Sequence, residues 1–146
     1  MTGVIDYDAG NLRSVDTALD FLGVDHIIAR NADQLTGCDV LVVPGVGEAA
    51  SAMNVLKTRG FDIAIKDHAK AGKRTIGICL GFQLFLEYSD ERDTPCLNLL
   101  PGKVRRFPNR PGMKVPHMGW NQLSFASQHP VFSGFPQDRS FYFVHS

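Results

Sequence analysis

Short apolar runs alternate with amphipathic stretches from Gly3 to Phe85, and this alternation predicts the elements. Gly3-Val4-Ile5-Asp6-Tyr7 reads as a buried strand, followed by the turn residues Asp8-Ala9-Gly10-Asn11. Leu12, Val15, Ala18, Leu19 and Leu22 recur at helical spacing, and Gly23 ends that helix. His26–Ala29 and Val40–Val43 are further strands, the latter stopped by Pro44. Helices are expected over Ala49–Lys57 and Phe61–Ala71, and a fourth strand over Thr75–Ile78. Continuous apolar strands alternating with amphipathic helices predict an α/β fold, with a mostly parallel central sheet covered by helices on both faces. After Tyr88 the texture changes. Prolines 95, 101, 108, 111 and 116 break the chain into short pieces, with extended segments expected around Val104, Phe107, Val115 and Leu123. Phe141-Tyr142-Phe143-Val144 is a last strand.

The 146 residues are 44% hydrophobic, enough for one domain with a real core. Fifteen basic and 15 acidic side chains balance to a formal charge of +0, so no bulk charge points to nucleic acid or to an anionic membrane. Met1-Thr2-Gly3-Val4 leads straight into a strand, so no signal peptide is expected, and no apolar run approaches spanning length. Cys38, Cys79 and Cys96 are odd in number and lack metal-ligand spacing. They fit a reduced cytoplasmic compartment with no metal and no cofactor.

Candidate chemistry centres on Gly77-Ile78-Cys79-Leu80-Gly81. It has the form of a nucleophile elbow, usually written G-x-S-x-G, in which flanking glycines relieve clashes in a tight strand-to-helix turn. The elbow would hold Cys79 at the next helix N-terminus, where free N–H groups favour a thiolate and an oxyanion. The alternative is that Cys79 is a small buried apolar residue. Pro44-Gly45-Val46-Gly47, at the end of the preceding strand, would lie on the same sheet edge. Gly45–Ala50 also fits the dinucleotide pattern G-x-G-x-x-G/A, but the next strand ends in Cys79, with no acidic residue at ribose distance. A cysteine nucleophile needs a base, and among the five histidines His145, at a strand end, is the first candidate on position alone. Lys103, Arg105, Arg106, Arg110 and Lys114 form a basic cluster that reads as a solvated face or as a dock for an acidic partner.

Pro44–Gly47 together with Gly77–Gln83 resembles class I, triad-type glutamine amidotransferases, whose architecture is flavodoxin-like. Further blocks are Ile5–Val15, Leu100–Pro108, Val115–Asn121 and Phe141–Ser146. They resemble the family of glutaminase subunits of imidazole glycerol phosphate synthase. That resemblance implies that Cys79 attacks the side-chain amide of L-glutamine and forms a γ-glutamyl thioester, releasing ammonia and then glutamate. It assigns the oxyanion donors to the backbone N–H of Leu80 and to one from Val46 or Gly47. It places Gly47, Gln83, Tyr142, His145 and Ser146 around the glutamine. Asn11 and Trp120 fall at the face that meets the partner, a (β/α)8 cyclase subunit. Ammonia would pass to that cyclase, forming imidazole glycerol phosphate and an aminoimidazole carboxamide ribotide in histidine biosynthesis.

The resemblance moves His145 from base to pocket wall, because in the family the base belongs to a His-x-Glu pair further along. The chain ends at Ser146, before such a pair. Residues 1–146 are therefore expected to be a single amidotransferase domain, incomplete at its C-terminus and missing its last strands. The alternatives are a catalytically incomplete cyclase-binding module, or a different cysteine hydrolase using His145. Phe82, Glu48 and Asn98 depart from the residues common in the family.

Overall fold

Four parallel strands carry the first part of the chain: β1 (Thr2–Ile5), β2 (His26–Ala29), β3 (Val40–Val43) and β4 (Arg74–Gly77), in the order β2-β1-β3-β4. The structure, a computed structural model, describes residues 1–8, 11–108, 110–112, 114–127, 129–136 and 138–146. The expected turn at Ala9 and Gly10 lies outside the described residues. Two compact units are present, Met1–Arg105 and Arg106–Ser146.

Within the first unit, α1 (Leu12–Phe21) joins β1 to β2, while α2 (Ala49–Thr58) and α3 (Phe61–Lys70) join β3 to β4. Side chains paired across a parallel register share a face. Ile5, Leu41 and Val43 point to one face and meet Leu35, Cys38, Leu56, Phe61 and Ile65 in the buried core under α2 and α3. The other face carries His26 beside Thr2, and Val4 between Ile28 and Val42. His26 bonds Asp16 of α1, so α1 lies on that second face. Helices on both faces of a parallel sheet are as expected from the alternation of patterns. The second face is covered unevenly: Val4 and Val42 are buried, whereas Ile76 of β4 is 49% exposed. Helix α1 itself has no fully buried residue.

The element positions follow the sequence closely, with small shifts. β1 ends at Ile5, and Tyr7 turns inward as a buried side chain instead of extending the strand. β4 runs from Arg74 to Gly77, so Ile78 and Cys79 belong to the turn. The helix after Cys79 is a single turn, α4 (Leu80–Gln83). β5 (Tyr88–Ser89), β6 (Thr94–Pro95) and β7 (Lys103–Val104) form a small sheet, with β5 antiparallel to β6 and parallel to β7. Its β5–β6 connection is a 3-10 turn over Glu91–Asp93 in which Arg92 (φ 52°) and Asp93 (φ 49°) sit in left-handed conformations.

The second unit is built on an antiparallel ribbon of β8 (His117–Gln122) and β9 (Ser140–His145). Phe107, Val115 and Leu123, expected near extended segments, fall outside the strands. Met118 pairs with Val144 and Trp120 with Tyr142, and all four are exposed on one face of the ribbon.

Candidate active site

Cys79 lies between β4 and α4 at φ 56°, ψ −116°, a sparsely populated conformation for a residue with a Cβ. The neighbours show why the turn needs glycine. A Cβ on Gly81 would overlap the Val43 carbonyl, and one on Gly77 would lie 2.6 Å from the Phe82 nitrogen. The turn is fastened by the Ile78 amide donating to Val43 (3.0 Å) and the Gly81 amide donating to Ile78 (3.0 Å). Cys79 is exposed, whereas Cys38 and Cys96 are buried with thiols pushed up by burial. The buried-residue reading of Cys79 is thereby set aside, and the elbow geometry is present.

The Pro44–Gly47 turn lies against this elbow. The Leu80 amide donates to the Gly45 carbonyl at 3.3 Å, and a Cβ on Gly45 would meet the Gly81 nitrogen at 2.8 Å. Gly45 is buried, while Val46 and Gly47 are exposed, with Gly47 at φ 107°. Gln83 sits one turn into the helix, its amide donating to the Cys79 carbonyl (3.2 Å). The sheet edge thus sets Cys79 and Leu80 beside Gly45, with Val46 and Gly47 next in the facing turn and Gln83 one turn along α4. The dinucleotide alternative finds no acidic side chain at the end of β4, which closes with Ile76 and Gly77.

Sequence patterns did not single out the groups that hold this turn. The Tyr7 hydroxyl donates to the Pro44 carbonyl at 2.6 Å. Burial, and secondarily the neighbouring Cys79 thiol, push the Tyr7 phenol well above its usual range, so it stays a donor. At the other end, the Ala49 amide at the start of α2 donates to the Glu91 carboxylate at 2.8 Å. Arg92 pairs with Glu48 (2.9 Å), and the Ser51 hydroxyl donates to Glu48 (2.8 Å). The Ser51 hydrogen bond, with Arg92 assisting, holds the Glu48 carboxyl below the usual carboxylate range. Arg59 donates to the Asp6 carbonyl (3.0 Å) and pairs with Asp8, fixing the segment that follows β1. A tyrosine after a strand and an acidic turn far downstream carry no local pattern that would have revealed these contacts.

Asn11 is exposed at the N-terminus of α1, where its side-chain oxygen accepts from the Ser14 hydroxyl (2.6 Å). In the second unit, Trp120 is 70% exposed and stacks edge-on with Tyr142 at 5.6 Å. His145 packs edge-on against Phe107 (5.1 Å) and His117 (5.4 Å), and the His117 ring nitrogen bonds the Asn121 amide (2.8 Å). Ser146 follows β9 and is exposed. The basic cluster Lys103, Arg105, Arg106, Arg110 and Lys114 is exposed throughout, and Lys103 lies over the Tyr88 ring. Among the described residues, no group of acidic, histidine and cysteine side chains could hold a metal, and no helix is long and apolar enough to cross a membrane.

A family model described as a CobB/CobQ-like glutamine amidotransferase domain matches residues 17–118. A subunit named imidazole glycerol phosphate synthase subunit HisH, from Listeria innocua serovar 6a, is 44% identical over all of this chain and 70% of its own length. Proteins of the same name from Halalkalibacterium halodurans and Chlorobaculum tepidum are 45% and 42% identical, with 71% and 73% of their lengths covered. A crystal structure of a glutamine amidotransferase superposes with a TM-score of 0.72 at 24% identity, covering 99% of this chain and 69% of that one. That likeness speaks to the fold; the sequence relatives speak to the family. With the elbow, the facing glycine turn and these relatives agreeing, the chain belongs to the HisH family of glutamine amidotransferases.

Proposed function

We propose that the chain hydrolyses L-glutamine to glutamate and ammonia through a Cys79 thioester, as the glutaminase half of a cytoplasmic heterodimer in histidine biosynthesis. Its partner is a (β/α)8 cyclase, which uses the ammonia to form imidazole glycerol phosphate and an aminoimidazole carboxamide ribotide. The observation that carries this reading is the exposed Cys79, held at φ 56° against the Leu80 amide and the Gly45–Gly47 turn. Attack of Sγ on the glutamine amide carbon forms the S–C bond and an oxyanion. Collapse breaks the C–N bond and, with a proton, releases ammonia; water then cleaves the thioester to glutamate. Leu80 and Val46 or Gly47 supply backbone donors to the oxyanion. Gly47, Gln83, Tyr142, His145 and Ser146 surround the substrate, and Asn11 and Trp120 meet the cyclase. Because Leu80 already donates to Gly45, the turn must reorient before both donors face the oxyanion. This keeps the glutaminase quiet until the cyclase is loaded.

Glutamate release by the chain mixed with the cyclase tests this. It is expected to rise when the cyclase binds its ligand, and Cys79→Ala should abolish it while sparing ammonia-dependent synthesis. Equal rates with and without the loaded partner would refute the gating. A second reading, a cyclase-binding module that does not turn over, is favoured by one observation. Among the described residues, no histidine is hydrogen-bonded to Cys79. Tight cyclase binding with no glutamate release under any condition would decide for it.

A further inference from the structure

Another concavity in the first unit shares no lining residue with the Cys79 site. It measures about 410 Å³, room for a small molecule, and is formed by Lys66, Ala69 and Lys70 of α3 and by Leu97, Asn98 and Leu99. Lys66 and Lys70 are four residues apart, so their side chains rise from one face of α3, with Cβ atoms about 6 Å apart. Asp62 and Asp67 lie on the same helix, yet among the described residues neither lysine makes an ion pair. The lysines are not needed to close the helix either. Backbone donors already take its last carbonyls: the Ala71 amide bonds Asp67 (3.0 Å), Gly72 bonds Ala69 (3.0 Å) and Lys73 bonds His68 (3.2 Å). No carboxylate lines the cavity, so both charges at its wall are positive.

The other wall is fixed in advance. The amides of Leu97, Asn98 and Leu99 donate to the carbonyls of Leu84 (2.8 Å), Leu86 (2.9 Å) and Phe85 (2.8 Å), in the segment directly after α4. Leu97 belongs to the buried core and Leu99 packs against it, so both offer apolar surface on a rigid base. Asn98 is exposed at φ 55°, a left-handed position that glycine would take without strain. Asparagine tolerates this conformation better than most residues, and it adds a polar group that glycine lacks. Among the described residues its side chain has no hydrogen-bond partner.

We propose that this cavity binds a small organic phosphate, with the phosphate group held by Lys66, Lys70 and the Asn98 amide and the apolar body resting on Leu97 and Leu99. A phosphate monoester carries close to two negative charges at neutral pH and three acceptor oxygens, which matches two ammonium groups and one neutral donor. A monocarboxylate supplies charge for only one of the lysines. Inorganic phosphate supplies the charge but leaves the leucines uncovered. The site stands apart from the glutaminase reading and does not depend on it.

The test titrates the full, isotope-labelled chain with phenyl phosphate, benzoate and inorganic phosphate at about pH 8, where the phosphate group is a dianion, and at low salt. Amide NMR shifts locate the site and give the affinity. Phenyl phosphate should shift the amides of residues 66–70 and 97–99 and reach saturation. Lys66→Met and Lys70→Met should each weaken it about tenfold, and Asn98→Gly roughly threefold. Benzoate and inorganic phosphate should each bind about tenfold more weakly than phenyl phosphate. Glycine suits the left-handed position, so Asn98→Gly keeps the test open if a lysine variant folds poorly. Shifts that do not saturate, or that fall only on other residues, would overturn the proposal. So would unchanged affinity in the three variants, or benzoate or inorganic phosphate binding as tightly as phenyl phosphate.

Discussion

The Leu80 amide, the first backbone donor beyond the nucleophile, donates to the Gly45 carbonyl at 3.3 Å. A group expected to stabilise an oxyanion is therefore engaged by the neighbouring glycine turn. At 3.3 Å and between neutral groups the bond is weak, the kind that a substrate oxyanion can replace. The close approach that makes this bond possible depends on glycine at Gly45 and at Gly81 beside Leu80, since each lies where a Cβ would strike backbone.

Gly81→Ala should accordingly be among the most damaging single substitutions. Its methyl would overlap the Val43 carbonyl at the end of β3, so the elbow or the strand must move. A loss of about 3 kcal/mol or more is expected in urea unfolding. Gly72→Ala should cost less, about 1 kcal/mol, because its position is open and only its φ of 72° is unfavourable. Similar losses for the two variants would contradict this packing account.

Cys79→Gly should stabilise the fold while abolishing glutamine hydrolysis. The strained backbone at φ 56°, ψ −116° favours glycine, which offsets the greater freedom glycine adds to the unfolded chain. A net gain of about 1 kcal/mol is expected, read from a shift in urea midpoint at constant slope. A lower midpoint than that of Cys79→Ala would argue against strain at the nucleophile.

Stability should fall as pH rises past neutrality, through His26. Both ring nitrogens face acceptors, the Asp16 carboxylate at 2.9 Å and the Val24 carbonyl at 2.8 Å, an arrangement that suits the doubly protonated ring. The Asp16 hydrogen bond first, then the Val24 carbonyl, raise the His26 value above the ordinary one. The folded state thus holds this proton more tightly than the unfolded chain. Its contribution is fully present below about pH 6.5 and is lost as pH rises through the higher folded value. The urea midpoint should drop between about pH 6 and pH 9 in the parent and change less in His26→Gln. Identical pH profiles would remove His26 as the cause.

Local periodicity was enough to place the four strands of the parallel sheet and helices α1, α2 and α3, while the short strands β5 and β6 carried no such pattern. His26–Ala29 and Val40–Val43 are found at the expected residues, and α2 and α3 end within a residue of expectation. It misjudged Tyr7, whose apolar body suited a strand but whose hydroxyl turns to the Pro44 carbonyl. It also extended the strand before the elbow to Ile78, because a β-branched residue in a tight turn looks like a strand residue.

For the site, the division has a physical cause. The sequence by itself determined the nucleophile, its flanking glycines and the second glycine turn, because tight backbone approach can be met only by residues without a Cβ. Only the tertiary structure decided that Cys79 is exposed, that Leu80 is engaged by Gly45, and that Tyr7, Glu91 and Arg92 hold the turn. These contacts join residues 35 to 44 positions apart. Their partners are ordinary polar side chains that only the packing of β3, α2 and the β5–β6 turn brings within hydrogen-bond distance.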